Sequence, residues 1–126
     1  MPKVRPRKTD ALIARVRKIT LALPGTTEKL SHGEPSFFRK RMFAMVDDHH
    51  HGSDHVALWC RAEPGAQQAF VESSPEHFFV PPYVGTQGWL GMRIDNGLDW
   101  SVIAHIVELA WQEAAPKPRP TRLRTK

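Results

Sequence analysis

The sequence predicts an α+β fold: an antiparallel sheet with helices from the two ends of the chain packed on one of its faces. Apolar residues recur at helical spacing near both ends, short alternating apolar segments fill the middle, and turn-forming residues separate those segments. A chain of 126 residues that is 40% hydrophobic suits one domain with a single core. That domain is expected over residues 10–115. The flanking stretches, 1–9 and 116–126, are basic, carry prolines and offer few apolar side chains, and they are expected to be disordered tails.

The first helix is expected over residues 10–22 with Thr9 as its cap. Leu12, Ile13, Val16, Ile19 and Leu23 form its apolar stripe, while Arg15, Arg17 and Lys18 fall mainly on other faces. Pro24-Gly25 ends it. Strands follow at 36–40 (SFFRK), 42–46 (MFAMV) and 55–60 (HVALWC). Strict alternation puts Met42, Ala44 and Val46 on one face and Phe43 and Met45 on the other; Val56, Leu58 and Cys60 alternate with Ala57 and Trp59. A short helix at 64–72 with Ala66, Ala69 and Phe70 inward opens at Pro64-Gly65 and stops at Pro75. Pro81, Pro82, Gly85 and Gly88 impose an irregular path before a strand at 89–95, and Asn96-Gly97 turns the chain. Asp99 then caps a last helix, on which Ile103, Ile106, Val107, Ala110, Trp111 and Ala114 make a core-facing stripe.

Composition narrows the setting. No signal-type or membrane-spanning apolar run is present, and the single cysteine, Cys60, suits a reducing compartment, so a cytoplasmic protein without membrane contact is expected. The net charge is +5, but residues 1–8 hold four bases and 116–126 hold five, with no acid in either. The body between them is therefore mildly acidic, with nine bases against thirteen acids. A polyanionic partner would meet the tails first.

Two stretches, LPGTTEKLSHGEPSFFRKRMFAMV (23–46) and PPYVGTQGWLGMRIDNGLDWSVIAHIVELAWQEAAPK (81–117), resemble the MmcQ/YjbR-like family in its LPG turn, H-G-x-P-x-F run, P-Y-x-G-x-x-G-W segment, D-W helix start and closing A-P-K. The resemblance implies a fold similar to CyaY and frataxin and, through a likeness to "double wing" DNA-binding domains, contact with DNA or another nucleic acid. It defines no reaction. Ala110-Trp111 stands where the family often has Ser-Tyr. Frataxin-type iron binding does not carry over, because the first helix holds Asp10 as its only acid beside three bases.

The stretch DDHHHGSDH, residues 47–55, resembles a metal site in composition. A specific site needs three or four donors converging at about 2.0–2.2 Å with partners that hold them, and a flexible loop supplies no such frame. It is expected to be a solvated hairpin loop, with His49, His51 and His55 as donors for adventitious nickel or zinc only. His32 is held between Gly33 and Pro35 with Glu34 beside it, yet no Ser-His-Asp order, nucleophile elbow, phosphate loop or HExxH motif completes a catalytic set. Neither an enzyme nor a cofactor is expected. GTQGWLG (85–91) runs into a strand rather than a helix, so a backbone bend beside Trp89 is expected there instead of a phosphate cradle.

Arg39-Lys40-Arg41 is the dense basic cluster inside the domain. It reads equally as a wing tip seated on a phosphate backbone, extended by Lys29, Arg61 and Arg93, or as a charged hairpin tip that blocks edge aggregation. The leading expectation is weak, salt-sensitive nucleic-acid binding by a monomer through that turn and the basic tails. The alternative is a small-ligand or protein-binding adaptor with a pocket around His32, Glu34, Tyr83 and Trp89.

Overall fold

The structure is a computed structural model and describes residues 6–49 and 54–116. Helix α1 (Arg7–Leu21) leads into strands β1 (Thr27–Ser31), β2 (Glu34–Arg39), β3 (Arg41–Asp48) and β4 (Val56–Cys60). Helix α2 (Ala66–Ser73), strand β5 (Phe78–Phe79), a 3₁₀ turn at Val84–Gln87, strand β6 (Leu90–Arg93) and helix α3 (Trp100–Glu113) complete it. The strands form one antiparallel sheet in the order β1-β2-β3-β4-β6-β5. The α+β expectation holds, with both long helices on one face.

That face carries the main core. Ile13 and Val16 of α1 and Ile103, Ile106, Val107 and Ala110 of α3 bury against Ala44, Val46, Leu58, Cys60, Leu90 and Met92. Burying such side chains contributes roughly 1.5–3 kcal/mol each, which makes this layer the main source of stability. Arg17 ties α1 to the sheet edge through a two-pronged ion pair with Glu28 at 3.0 Å. Asp99 caps α3 as expected, its carboxylate accepting from Ser101 N at 2.8 Å.

Several expectations are corrected. Helix α1 starts at Arg7, and Pro6 rather than Thr9 occupies the cap position; Thr9 is a buried first-turn residue. Proline can open a helix because the N–H it lacks would have had no partner there. Strand β1 was not expected, since its mostly exposed residues show no apolar alternation; pairing with β2 makes it a strand. Strand β2 starts two residues early, with Pro35 lying before the first β2–β3 pair, Ser36–Met45, so its missing N–H breaks no rung of that ladder. In β3 the alternation fails at a bulge: Phe37 pairs with Ala44 and Phe38 with Met42, leaving Phe43 as the extra residue. Phe43 therefore joins Ala44 and Val46 on the helix side, while Met42 and Met45 share the other. In α2 the inward residues are Phe70 and Val71, and Ala69 is exposed. Strand β6 is shorter than the 89–95 stretch, because Trp89 precedes it and Ile94 follows. The alternation expected in β4 is observed, Val56, Leu58 and Cys60 facing the helices and Ala57 and Trp59 the far side. No helix among the described residues is long and apolar enough to cross a membrane.

Candidate functional site

Among the described residues, the sheet face away from the long helices is only partly covered. Ala57, Trp59 and Trp89 form a second, smaller cluster there, flanked by Met42, Met45, Phe79 and Val84. Between it and the β1–β2 turn lies a cavity of about 500 Å³. One wall begins at the turn itself. His32 (φ 54°) and Gly33 (φ 80°) are a two-residue connection with positive φ at both positions, flanked by the Ser31–Glu34 pair. This turn sets His32 on the rim and places Glu34, 3% exposed, at the start of β2. Glu34 Oε2 accepts from Asp48 N at 3.0 Å, which fixes the carboxylate. Asp47, 2% exposed, lines the same cavity, and Met42, Met45 and Trp59 supply an apolar floor.

The opposite wall is Tyr83 and Val84. Val84 N donates to Pro82 O at 2.7 Å, closing a three-residue turn with Tyr83 at φ 66°, ψ −67°. This is the strained form of the γ-turn, and strain of this kind collects at functional sites. Helix α2 holds the segment in place: the Gln67 side-chain amide donates to Gly85 O at 2.9 Å and Trp89 O at 2.6 Å. The stretch 85–91 is a backbone bend leading into β6. Three of the four pocket residues read from the sequence, His32, Glu34 and Tyr83, thus line one cavity. Trp89 packs in the adjoining cluster instead; its indole Nε1 is buried without a hydrogen-bond partner among the described residues. Asp47, Met42, Met45 and Trp59 were missed as pocket residues. The alternation of β4 was the available signal, because it puts a tryptophan on the face the long helices do not cover.

At the mouth of the β3–β4 hairpin, each described histidine has a carboxylate of its own. His49 Nδ1 lies 2.6 Å from Asp48 Oδ1, and His55 Nδ1 lies 2.9 Å from Asp95 Oδ1, whose second oxygen accepts from Val56 N at 2.8 Å. Among the described residues no group of three or more His, Cys, Asp or Glu side chains is arranged to hold a metal ion. His50 and His51 lie outside the described residues. Cys60 is fully buried, and burial pushes its thiol pKa up.

The basic turn is engaged with α3. The Arg39 guanidinium stacks 3.7 Å from the Trp111 ring and donates to Trp111 O at 3.2 Å, and Arg41 donates to Glu113 O at 2.7 Å. These carbonyls belong to the last turn of the helix, which carries partial negative charge, and Trp111 O also accepts from Ala114 N at 3.2 Å. Lys40, exposed at φ 64°, is the tip. Arg61 is drawn to the same end: it donates to Met42 O at 2.6 Å, and burial, then the charge of Arg41, lowers its pKa while Glu113 raises it. Lys29 and Arg93 stand apart. Lys29 lies on edge strand β1 over the Phe38 ring, and Arg93 on β6, four strands or roughly 19 Å across the sheet, donates to Pro75 O and Glu76 O. The tail bases Lys3, Arg5, Lys117, Arg119, Arg122, Arg124 and Lys126 lie outside the described residues.

Comparison with known proteins agrees with this architecture. A crystal structure of the Deinococcus radiodurans protein DR2400, with a domain of type DUF419, superposes with a TM-score of 0.70 at 14% identity, covering 83% of this chain and 79% of that one. No curated protein matches. The YjbR family model matches residues 21–113, from the end of α1 to the end of α3, and the chain belongs to the YjbR family.

Proposed function

We propose that this domain is a non-catalytic binding module that takes a small ligand in the cavity on the open face of its sheet. The observation that carries the reading is the convergence of His32, Glu34 and Tyr83, from two separate segments, around an apolar floor. The volume of about 500 Å³ falls within the roughly 300–1,000 Å³ of small-molecule sites, and an apolar recess with a few fixed polar groups is their usual construction. A thermal-shift screen of small metabolites tests it. A hit at about one hundred times its Kd adds roughly 2.7 kcal/mol of stability, and the effect should weaken in His32→Ala and in Tyr83→Ala. A hit that both variants leave unchanged would place the site elsewhere.

A second reading keeps nucleic acid as the partner. Arg41 grips the carbonyl of Glu113, and the basic run of the C-terminal tail starts four residues further along the chain, so the turn lies beside the end of the last described helix, from which that tail continues in sequence. Contacts of this sort give weak affinity without sequence readout. The test is the salt dependence of binding to a DNA duplex and an RNA strand by the full chain. Lys40→Glu should lower the slope of log K against log salt by about 1 if the tip touches phosphate. An unchanged slope would exclude the tip as a contact.

A further inference from the structure

Charge is divided between the two edges of the sheet. Among the described residues, 6–41 carry nine lysines and arginines against three acids, whereas 42–116 carry two against ten. Strand order turns this division along the chain into one across the molecule, because β1 and β2 form one edge of the sheet and β6 and β5 the other. Helix α1 is held at the basic edge by the Arg17–Glu28 ion pair. Helix α2 packs at the acidic edge, with its Phe70 ring 5.0 Å from that of Phe78. A domain whose charges nearly balance can therefore still turn a positive surface towards a polyanion.

That surface is the outer side of α1. Thr9, Ile13, Val16 and Thr20 are buried, and the opposite side presents Arg7, Lys8, Arg15 and Lys18, all exposed, at helical spacing. Among them stand Ala11, Ala14 and, at the C-cap, Ala22, also exposed, whose short side chains let another backbone come close. Asp10 is the only acid of the helix. Arg15 lies over the Trp100 ring, 4.5 Å from its centre, a support that orients the guanidinium without neutralising it. We infer that this face of α1 seats on the phosphate backbone of a nucleic-acid duplex. The inference rests on the nucleic-acid reading and gives it a surface distinct from the β2–β3 turn. Lys8 and Lys18 are separated by roughly 15 Å of helix, the axial extent of about four phosphates of one strand. An anionic membrane fits this face poorly, since a helix lying in a membrane surface buries large apolar side chains beside its cations, and here the cations alternate with alanines. Contacts of this kind supply affinity and leave sequence unread.

Fluorescence-anisotropy titrations of a mixed-sequence DNA duplex with the full chain, over a series of salt concentrations, test the assignment. The double variant Lys8→Gln/Lys18→Gln should lower the magnitude of the slope of log K against log salt by about 2, roughly one for each lost phosphate contact. Gln68→Glu/Ala69→Glu, at exposed positions of α2, changes the net charge by the same amount at the acidic edge and should leave the slope as it is. Circular dichroism reports that both variants keep their helices. If the two pairs change the slope alike, or the α1 pair leaves it unchanged, the α1 inference is overturned while binding through the turn or the tails stands. If the parent chain does not bind the duplex, the nucleic-acid reading fails and the inference falls with it. Vesicles of equimolar phosphatidylcholine and phosphatidylserine complete the set: loss of vesicle binding by the α1 pair with duplex binding intact would assign the face to a membrane and overturn the inference.

Discussion

Tyr83 concentrates the tension between stability and binding in one residue. Its backbone occupies φ 66°, ψ −67°, where a side chain other than glycine costs on the order of 1–3 kcal/mol, while the ring is largely exposed and contributes little burial. Tyr83→Gly should therefore raise the unfolding free energy by about 1 kcal/mol, after the extra entropy glycine gives the unfolded chain, and should weaken ligand binding. Urea denaturation and the ligand titration read the two effects on the same samples; a destabilised variant would show that the turn is not strained. Asp99 makes a pH prediction. Backbone donation from Ser101 N, and then the Ser101 hydroxyl, lower the Asp99 pKa in the folded state. Its stabilising effect is thus fully present above the ordinary aspartate value of about 4 and is lost as pH falls through the lower folded value. Asp99→Asn retains an acceptor for the cap but cannot titrate, so it should flatten this part of the acid limb in a denaturation series from pH 5 to about pH 2. An acid limb identical to that of the parent would remove Asp99 from the account. His32 and Glu34 were legible as a pair because Gly33 beside them signals a tight turn. Asp47 was not, since nothing in a run of polar residues tells which one the sheet will bury.

At the scale of elements, helix α3 and the β2–β3 turn act as one unit. Trp111 receives the Arg39 guanidinium on its ring, and its Nε1 donates to Pro24 O at 2.9 Å, so the end of α3 joins both that turn and the connection after α1. Arg39→Ala should cost about 1–2 kcal/mol, combining the lost stacking with the lost donor to Trp111 O. Arg39→Lys should recover less than half, because an ammonium cannot stack flat and donate in the same plane. Guanidinium titrations of the three proteins check this; full recovery by lysine would reduce the contact to charge alone. The long helices and β4 were legible because their apolar periods are undisturbed. Strand β1 escaped because an exposed edge strand needs no apolar face, and the two sides of β3 were misassigned because one inserted residue, Phe43, shifts the alternation.

Across the whole molecule the proposed reading gives the two sheet faces separate tasks, and one residue from each of the paired strands β3 and β4 can tell them apart. Leu58, fully buried under the helices, should cost about 2–5 kcal/mol when cut to alanine, with little effect on ligand affinity in the protein that remains folded. Met45→Ala, on the half-buried cavity floor, should cost less stability and more affinity. Equal effects of the two substitutions on both measurements would deny the division. By itself the sequence determined the α+β class, the two long helices, the alternation of β4, the Asp99 cap and the family, because each of these rests on periodicity or on turn chemistry within a few neighbouring residues. Only the tertiary structure decided that Arg39 and Arg41 close the end of α3, that Trp89 sits beside the cavity rather than in it, and that Asp47, Met45 and Trp59 face His32 and Tyr83. Those relations join segments tens of residues apart through strand order and one bulge, and no local pattern carries that information.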